Sequence, residues 1–90
     1  MESQKELGTH IKSVMYENDV SQIDICRISP DISTTVLNYV CQGRRAMRVP
    51  VAVALEKAGL GSATIWMQLQ SSLLINQHKS KSYYRNGSTQ

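Results

Sequence analysis

The chain has 90 residues, a net charge of +3 and 41% hydrophobic residues, which together suit one small globular domain. No apolar run approaches the roughly 20 residues that cross a bilayer, so the sequence predicts no membrane-spanning helix. The mild positive charge permits an anionic partner without requiring one.

The two cysteines and the absence of phenylalanine indicate what kind of core to expect. Cys26 and Cys41 fall at apolar helical positions, which is typical of buried thiols in a reducing compartment, so we expect a cytoplasmic protein. The first residues show no basic region followed by an apolar one, so we expect no secretory signal. Without phenylalanine the core depends on aliphatic side chains and Trp66, and so small a core favours oligomers.

The first 18 residues predict a flexible arm followed by a helix. Residues 1 to 8 are polar and show no period. Thr9 can cap a first helix over residues 10 to 18, whose inward side has the i, i+3, i+4 spacing of an amphipathic helix. That inward side consists of Ile11, Val14 and Met15. The only two histidines, His10 and His78, are too few for a metal site, so no metal is predicted.

A second helix is predicted to begin after Ser21, and Asp24 three residues later can complete a capping box. Its inner face is formed by Ile25, Cys26 and Ile28. Gln22 lies in the exposed first turn, where backbone N–H groups and the helix dipole can hold a phosphate. The alternative for Gln22 is an ordinary solvated glutamine. Residues 29 to 31, Ser-Pro-Asp, end the helix because proline cannot continue it.

A third helix, capped by Ser33 and ending at Gln42, divides cleanly into an apolar and a polar arc. The apolar arc consists of Val36, Leu37, Val40 and Cys41. The polar arc consists of Thr34, Thr35, Asn38, Tyr39 and Gln42. A merely solvated face would carry Lys and Glu, whereas this one has no charge, and Arg44 and Arg45 follow it directly. Amides and hydroxyls beside arginines suit the reading of base edges and the binding of phosphates, although a plain surface helix is the alternative.

These two short helices, joined by a tight turn and closed by the inward-pointing Ile32, predict a helix-turn-helix. Gly43 is expected to stop the third helix, and Pro50 suits the first turn of a fourth helix over residues 50 to 58. The packing side of the fourth helix consists of Val51, Leu55 and Ala58. Ser62 is expected to cap a fifth helix.

The fifth helix, over residues 63 to 77, is apolar on too many sides for a monomer. One arc, expected to cover the core, consists of Ile65, Trp66, Leu69 and Leu73. The other side consists of Met67, Leu74 and Ile75, which we predict to pack against a second copy of the chain. The alternative is scattered surface hydrophobes, which are common. Residues 78 to 90 are polar without a period and are expected to form a disordered tail.

Residues 43 to 70 resemble the second half of HigA-type antitoxins, in the Xre branch of phage-repressor-like helix-turn-helix proteins; they read GRRAMRVPVAVALEKAGLGSATIWMQLQ. The shared features are Gly-Arg-Arg after the third helix, a helix ending in Lys-Ala, and a Ser-capped helix containing Trp-x-x-Leu-Gln. Upstream, Val20-Ser21-Gln22 is similar to the family's Leu-Ser-Gln. The turn at residues 29 to 31 is about one residue longer than the family's, and Tyr39 stands where an arginine is common.

The resemblance implies an all-α, five-helix lambda-repressor-like domain over residues 9 to 77. It also implies a homodimer that binds DNA and represses its own operon, and in many relatives neutralises a cognate toxin that degrades messenger RNA. A protein-binding antitoxin module and a free-standing phage or plasmid regulator are the alternatives.

The expected function is that of a homodimeric repressor whose third helix reads a palindromic operator. Base-edge contacts are assigned to Thr34, Thr35, Asn38 and Gln42. Phosphate or sugar contacts are assigned to Gln22, Ser33, Tyr39, Arg44 and Arg45. The sequence offers no convergent acid–base pair, activated nucleophile or Gly-rich phosphate loop, so neither an enzyme nor a cofactor is predicted.

Overall fold

The computed structural model describes residues 4 to 89, with side chains described for residues 4 to 79. Five α-helices follow one another: α1 (Gln4–Glu17), α2 (Gln22–Ile28), α3 (Thr34–Cys41), α4 (Val49–Lys57) and α5 (Ala63–Thr89). Residues 4 to 89 contain no strand, so the predicted all-α class with five helices is confirmed. None of the described helices combines the length and apolar character that crossing a bilayer requires.

The core is aliphatic, with Trp66 as its one large ring. Ile11 of α1, Ile25 of α2, Leu37 of α3 and Leu55 of α4 have no exposed surface, so each of the first four helices contributes a fully buried side chain. Helix α3 packs against both α1 and α2, while α5 packs against α4 and α1. The third helix is therefore fixed from one side only, and its opposite side is left open.

Local capping signals place the starts of the middle helices as predicted. The Ser21 hydroxyl accepts a hydrogen bond from the Asp24 N–H at 3.1 Å, and the Asp24 carboxylate accepts one from the Ser21 N–H at 3.0 Å, which completes a capping box. The Ser33 hydroxyl accepts from the N–H of Val36 at 3.1 Å and caps α3. Pro50 lies in the first turn of α4, as expected.

The predicted N-terminal arm is wrong for the described residues, because α1 already begins at Gln4. Leu7 and Gly8 are buried, and Leu7 extends the stripe of Ile11 and Met15 by one helical turn. Thr9 is not a cap, since its hydroxyl donates to the carbonyl oxygen of Lys5 inside the helix. Residues 1 to 3 lie outside the described part of the chain.

Two predictions for α5 are also wrong. The backbone remains helical to Thr89, beyond the predicted end at residue 77. Gln90, the last residue of the expected tail, lies outside the described residues. Ile65 and Leu69, expected to cover the core, are 53% and 42% exposed.

The core side of α5 instead runs through Trp66, Gln70 and Leu73, which are all buried. In α2, the predicted inward Ile28 is likewise exposed, and the buried position at that end belongs to Ser29. Ile32 is buried in the connection to α3, as predicted. At two of these positions, Leu69 and Ile28, the buried residue is instead the polar neighbour, Gln70 or Ser29.

Candidate nucleic-acid interface

The polar arc of α3 faces away from the core. Leu37, Val40 and Cys41 are almost completely buried, which fixes the rotation of the helix about its axis. On the opposite side, Thr34 and Thr35 and the C-cap residue Gln42 are exposed, while Asn38 and Tyr39 are half-buried. Amide and hydroxyl groups with no charge among them thus form one accessible strip along a helix of eight residues.

A close backbone contact with α1 holds the C-terminal end of α3. A Cβ atom at Gly8 would overlap the carbonyl oxygen of Cys41 and come within 2.9 Å of that of Val40. Only a residue without a side chain allows the two helix backbones to approach this closely. The position of the polar strip therefore depends on α1 as well as on the connection from α2.

Gly43 ends α3 with a left-handed turn, at φ +79°. The N–H of Gly43 donates to the carbonyl oxygen of Val40 at 3.1 Å, and the N–H of Arg44 donates to that of Tyr39 at 2.9 Å. These are the two hydrogen bonds of a Schellman motif, which reverses the chain after a helix. A Cβ at Gly43 would also lie 2.5 Å from the Cα of Lys5, so the turn is packed directly on α1.

The turn brings both predicted phosphate-binding arginines to Tyr39. The guanidinium carbons of Arg44 and Arg45 each lie 5.9 Å from the centroid of its ring. Both arginines are exposed, and neither is paired with a carboxylate in the part of the chain that the structure describes. Two positive charges therefore lie beside the uncharged strip of α3.

The other residues assigned to phosphate or sugar contacts, Gln22 and Ser33, lie at the starts of α2 and α3. Gln22 is the first residue of α2 and is half-buried. Ser33 is exposed; its hydroxyl oxygen already accepts the capping hydrogen bond, and its proton is available to a phosphate.

At the capping box of α2, the N–H and hydroxyl of Ser21 hold the pKa of the Asp24 carboxyl below its ordinary value.

The three residues predicted at a dimer interface occupy different environments. Met67 is half-buried and packs against the core of its own chain, whereas Leu74 and Ile75 are 47% and 52% exposed. Met67 and Ile75 line one surface groove of about 660 Å³ together with Val49, which is itself 58% exposed. Two of the three residues thus share one apolar depression, and Leu74 lies outside its lining.

Sequence reasoning missed a buried amide network that joins α1, α5 and the connection after α3. Gln70 is 1% exposed, and its side-chain oxygen accepts hydrogen bonds from the Met47 N–H and from the side chain of Gln4, each at 2.7 Å. The signal was Gln70 itself, the last residue of the Trp-x-x-Leu-Gln pattern. Nothing in the pattern indicates that its partners are Met47 and Gln4.

The aromatic residue of the same pattern also has a structural partner. The indole N–H of Trp66 donates to the carbonyl oxygen of Leu60 at 3.1 Å, and the ring of His10 lies 5.3 Å from that of Trp66. Both cysteines are free, and burial raises the pKa of the Cys41 thiol. These groups belong to the core and its edge, on the side of α3 away from the polar strip.

Comparisons of the chain with protein-family models, with curated proteins and with solved structures gave no match.

Proposed function

We propose that this chain is a homodimeric DNA-binding repressor of the HigA-like, Xre type, in which α2 and α3 form a lambda-repressor-like helix-turn-helix. Helix α3 enters the major groove of a palindromic operator, and α2 crosses the backbone above it. Each half-site is read by one subunit, with half-site centres about one helical turn apart.

One observation carries the proposal: α3 has an uncharged polar strip on its open side, and directly after it come two arginines that have no carboxylate partner among the described residues. The open side bears Thr34, Thr35, Asn38 and Gln42, whose groups are neutral donors and acceptors. Base edges in the major groove present complementary acceptors, donors and thymine methyl groups. Most surface helices carry charged residues on their exposed side. An uncharged strip beside two cations therefore supports binding to DNA, whose phosphates are negatively charged and whose base edges are neutral.

Each group in the strip suits a particular contact. The amides of Asn38 and Gln42 can each make a paired hydrogen bond to adenine, and the threonine methyl groups suit the methyl group of thymine. Gln22, Ser33 and the two arginines, Arg44 and Arg45, hold phosphates, which fixes the register of the helix on the duplex.

The apolar groove beside α5 supports the dimer. A helix that exposes Leu74 and Ile75 beside a groove containing Val49 leaves apolar surface in water that a second copy can cover. Two copies related by a two-fold axis would present two α3 helices, which matches the symmetry of a palindrome.

The direct test is binding of the purified chain to the DNA upstream of its own gene. Fluorescence anisotropy at physiological salt is expected to show a preference of at least about 1,000-fold over a shuffled duplex of the same length, the lower end for specific recognition. Equal affinity for the two duplexes would overturn the proposal. A footprint with two-fold symmetry would identify the operator and the autoregulation together.

A second candidate function is that of an antitoxin whose main partner is a toxin protein. The observation in its favour is a second pair of exposed apolar residues on α5, Ile65 and Leu69, which do not line the groove with Val49. Co-expression with the product of an adjacent gene tests it: a stable complex that Leu69→Glu disrupts, without loss of operator binding, supports this role. Failure of the two products to associate contradicts it.

A further inference from the structure

The end of α3 concentrates positive charge on a single aromatic ring. The guanidinium carbons of Arg44 and Arg45 are both 5.9 Å from the ring centroid of Tyr39. A cation within about 6 Å of an aromatic centroid is attracted by the ring's quadrupole. One ring therefore lies within cation–π range of two neighbouring cations.

The backbone imposes this arrangement. The Schellman turn reverses the chain at Gly43, and the hydrogen bond from the Arg44 N–H to the Tyr39 carbonyl oxygen, 2.9 Å long, places the two residues side by side. The turn is packed on Lys5 of α1, so it cannot move freely. Both arginines thus begin from a fixed backbone, and only their side chains remain to be ordered.

The ring is the partner that the described structure offers to these side chains. Neither arginine has a carboxylate partner among the described residues, and the hydroxyl of Tyr39 makes no hydrogen bond there. A carboxylate would neutralise a guanidinium and occupy its donors, whereas an aromatic face orients it and leaves its N–H groups free. The cluster of Tyr39, Arg44 and Arg45 thus orients the two guanidinium groups without neutralising their charge.

We propose that Tyr39 is a positioning residue, which holds Arg44 and Arg45 together as a two-guanidinium clamp for a DNA phosphate. This inference rests on the proposed function and deepens it, since it gives Tyr39 a role exerted through the arginines. Ordering the two side chains before binding lowers the entropy cost of the phosphate contact. Because the clamp binds the phosphate backbone of DNA, it contributes equally to the affinity for all DNA sequences.

The cluster can be tested first in the free protein. Protons of a side chain that lies over an aromatic ring resonate upfield, so the side-chain signals of both Arg44 and Arg45 should be shifted upfield in the NMR spectrum. Tyr39→Phe should preserve the shifts and Tyr39→Leu should abolish them. Unshifted arginine signals in the wild-type protein would overturn the inference without any need for a variant.

Binding to DNA then tests the role. Tyr39→Leu should weaken binding to the upstream duplex and to a shuffled duplex by the same factor, about five-fold, from the loss of two exposed cation–π contacts. Tyr39→Phe keeps the aromatic face and should lose far less affinity than Tyr39→Leu. The matched control is Tyr16→Leu, because Tyr16 is 88% exposed on α1 and takes part in neither of the cation–π contacts found among the described residues.

A double-mutant cycle separates positioning from direct contact. In a chain that carries both Arg44→Ala and Arg45→Ala, Tyr39→Leu should cause no further loss of affinity. A loss of the same size in both backgrounds would show that Tyr39 acts independently of the arginines and would overturn the inference. If the wild type shows no preference for its upstream duplex, the proposed repressor function fails, while the NMR shifts still decide whether the cluster exists.

Discussion

The side-chain amides of Gln4 and Gln70 form a reciprocal pair of hydrogen bonds, 2.7 and 2.8 Å long, between the first turn of α1 and the second turn of α5. The Gln70 oxygen also accepts the Met47 N–H at 2.7 Å, so one buried amide joins both helices to the connection after α3. A buried amide in contact with three chain segments contributes more than its own hydrogen bonds, because its loss leaves other buried groups without partners.

Replacement of Gln70 should therefore destabilise the fold more than replacement of Gln4. Gln70→Leu leaves the N–H of Met47 buried without an acceptor, which should lower the free energy of unfolding by about 2 kcal/mol. Gln4→Ala keeps that bond and removes only the acceptor of the Gln70 side-chain N–H, at the half-buried end of the network, so it should cost about 1 kcal/mol. Urea unfolding followed by Trp66 fluorescence at one fixed protein concentration measures both; equal losses would contradict the role of Gln70.

Gly8→Ala should destabilise the domain although alanine favours helices. The added Cβ would overlap the Cys41 carbonyl oxygen, so α1 must move away from α3, and we expect a loss of about 2 kcal/mol, as for other overpacked sites. Gly59→Ala is the control, because Gly59 has open space around it and a φ of +80°. It should cost about 1 kcal/mol from backbone strain alone. A Gly8→Ala protein as stable as the wild type would show that the contact is not restrictive.

Asn38→Ala should reduce operator affinity by about 1–3 kcal/mol and relax the preference at one base position. The control is Asn18→Ala, since Asn18 follows α1, outside α2 and α3, and donates to the carbonyl oxygen of Val14. Binding to operator variants with each base pair changed in turn provides the measurement. Unchanged affinity of Asn38→Ala would remove Asn38 from the base-reading residues.

Ile75→Glu should convert a dimer into monomers, because it places a charge in the apolar groove of α5. Ile65→Glu is a matched control on the same helix: Ile65 is 53% exposed and Ile75 52%, but only Ile75 lines the groove. Sedimentation velocity at micromolar concentration should show a dimer for the wild type and for Ile65→Glu. A monomeric wild-type protein would rule out the dimer.

Acid should weaken the start of α2. The pKa of the Asp24 carboxyl lies below its ordinary value of 3.8 because the Ser21 N–H and hydroxyl bond to the carboxylate. The unfolded chain then takes up this proton more readily than the folded one, so stability is full above 3.8 and falls as the pH drops through the lower folded-state pKa. Asp24→Asn should show a smaller loss between neutral pH and pH values well below 3.8. Parallel pH profiles for the two proteins would contradict this.

Features that depend on residues a few positions apart could be predicted from the sequence. The caps at Ser21 and Ser33 involve partners three residues away, Pro50 fits a helix start by its own ring geometry, and Gly43 stops α3 by its left-handed turn. The division of α3 into buried and open sides follows from helical periodicity alone. The candidate interface could be named from the sequence for this reason.

Contacts between segments that are distant in the sequence could not be predicted from local patterns. These contacts decided how α1 and α5 pack. Gln4 and Gln70 are separated by 66 positions, and their pairing joins the start of α1 to the buried amide of α5. The contact of Gly8 with Cys41 likewise joins helices that have no local signal for each other. Short-range hydrogen bonding and periodicity thus set the middle helices and the open side of α3, whereas the fit of backbones and buried amides in three dimensions decided how α1 and α5 pack against the rest of the chain.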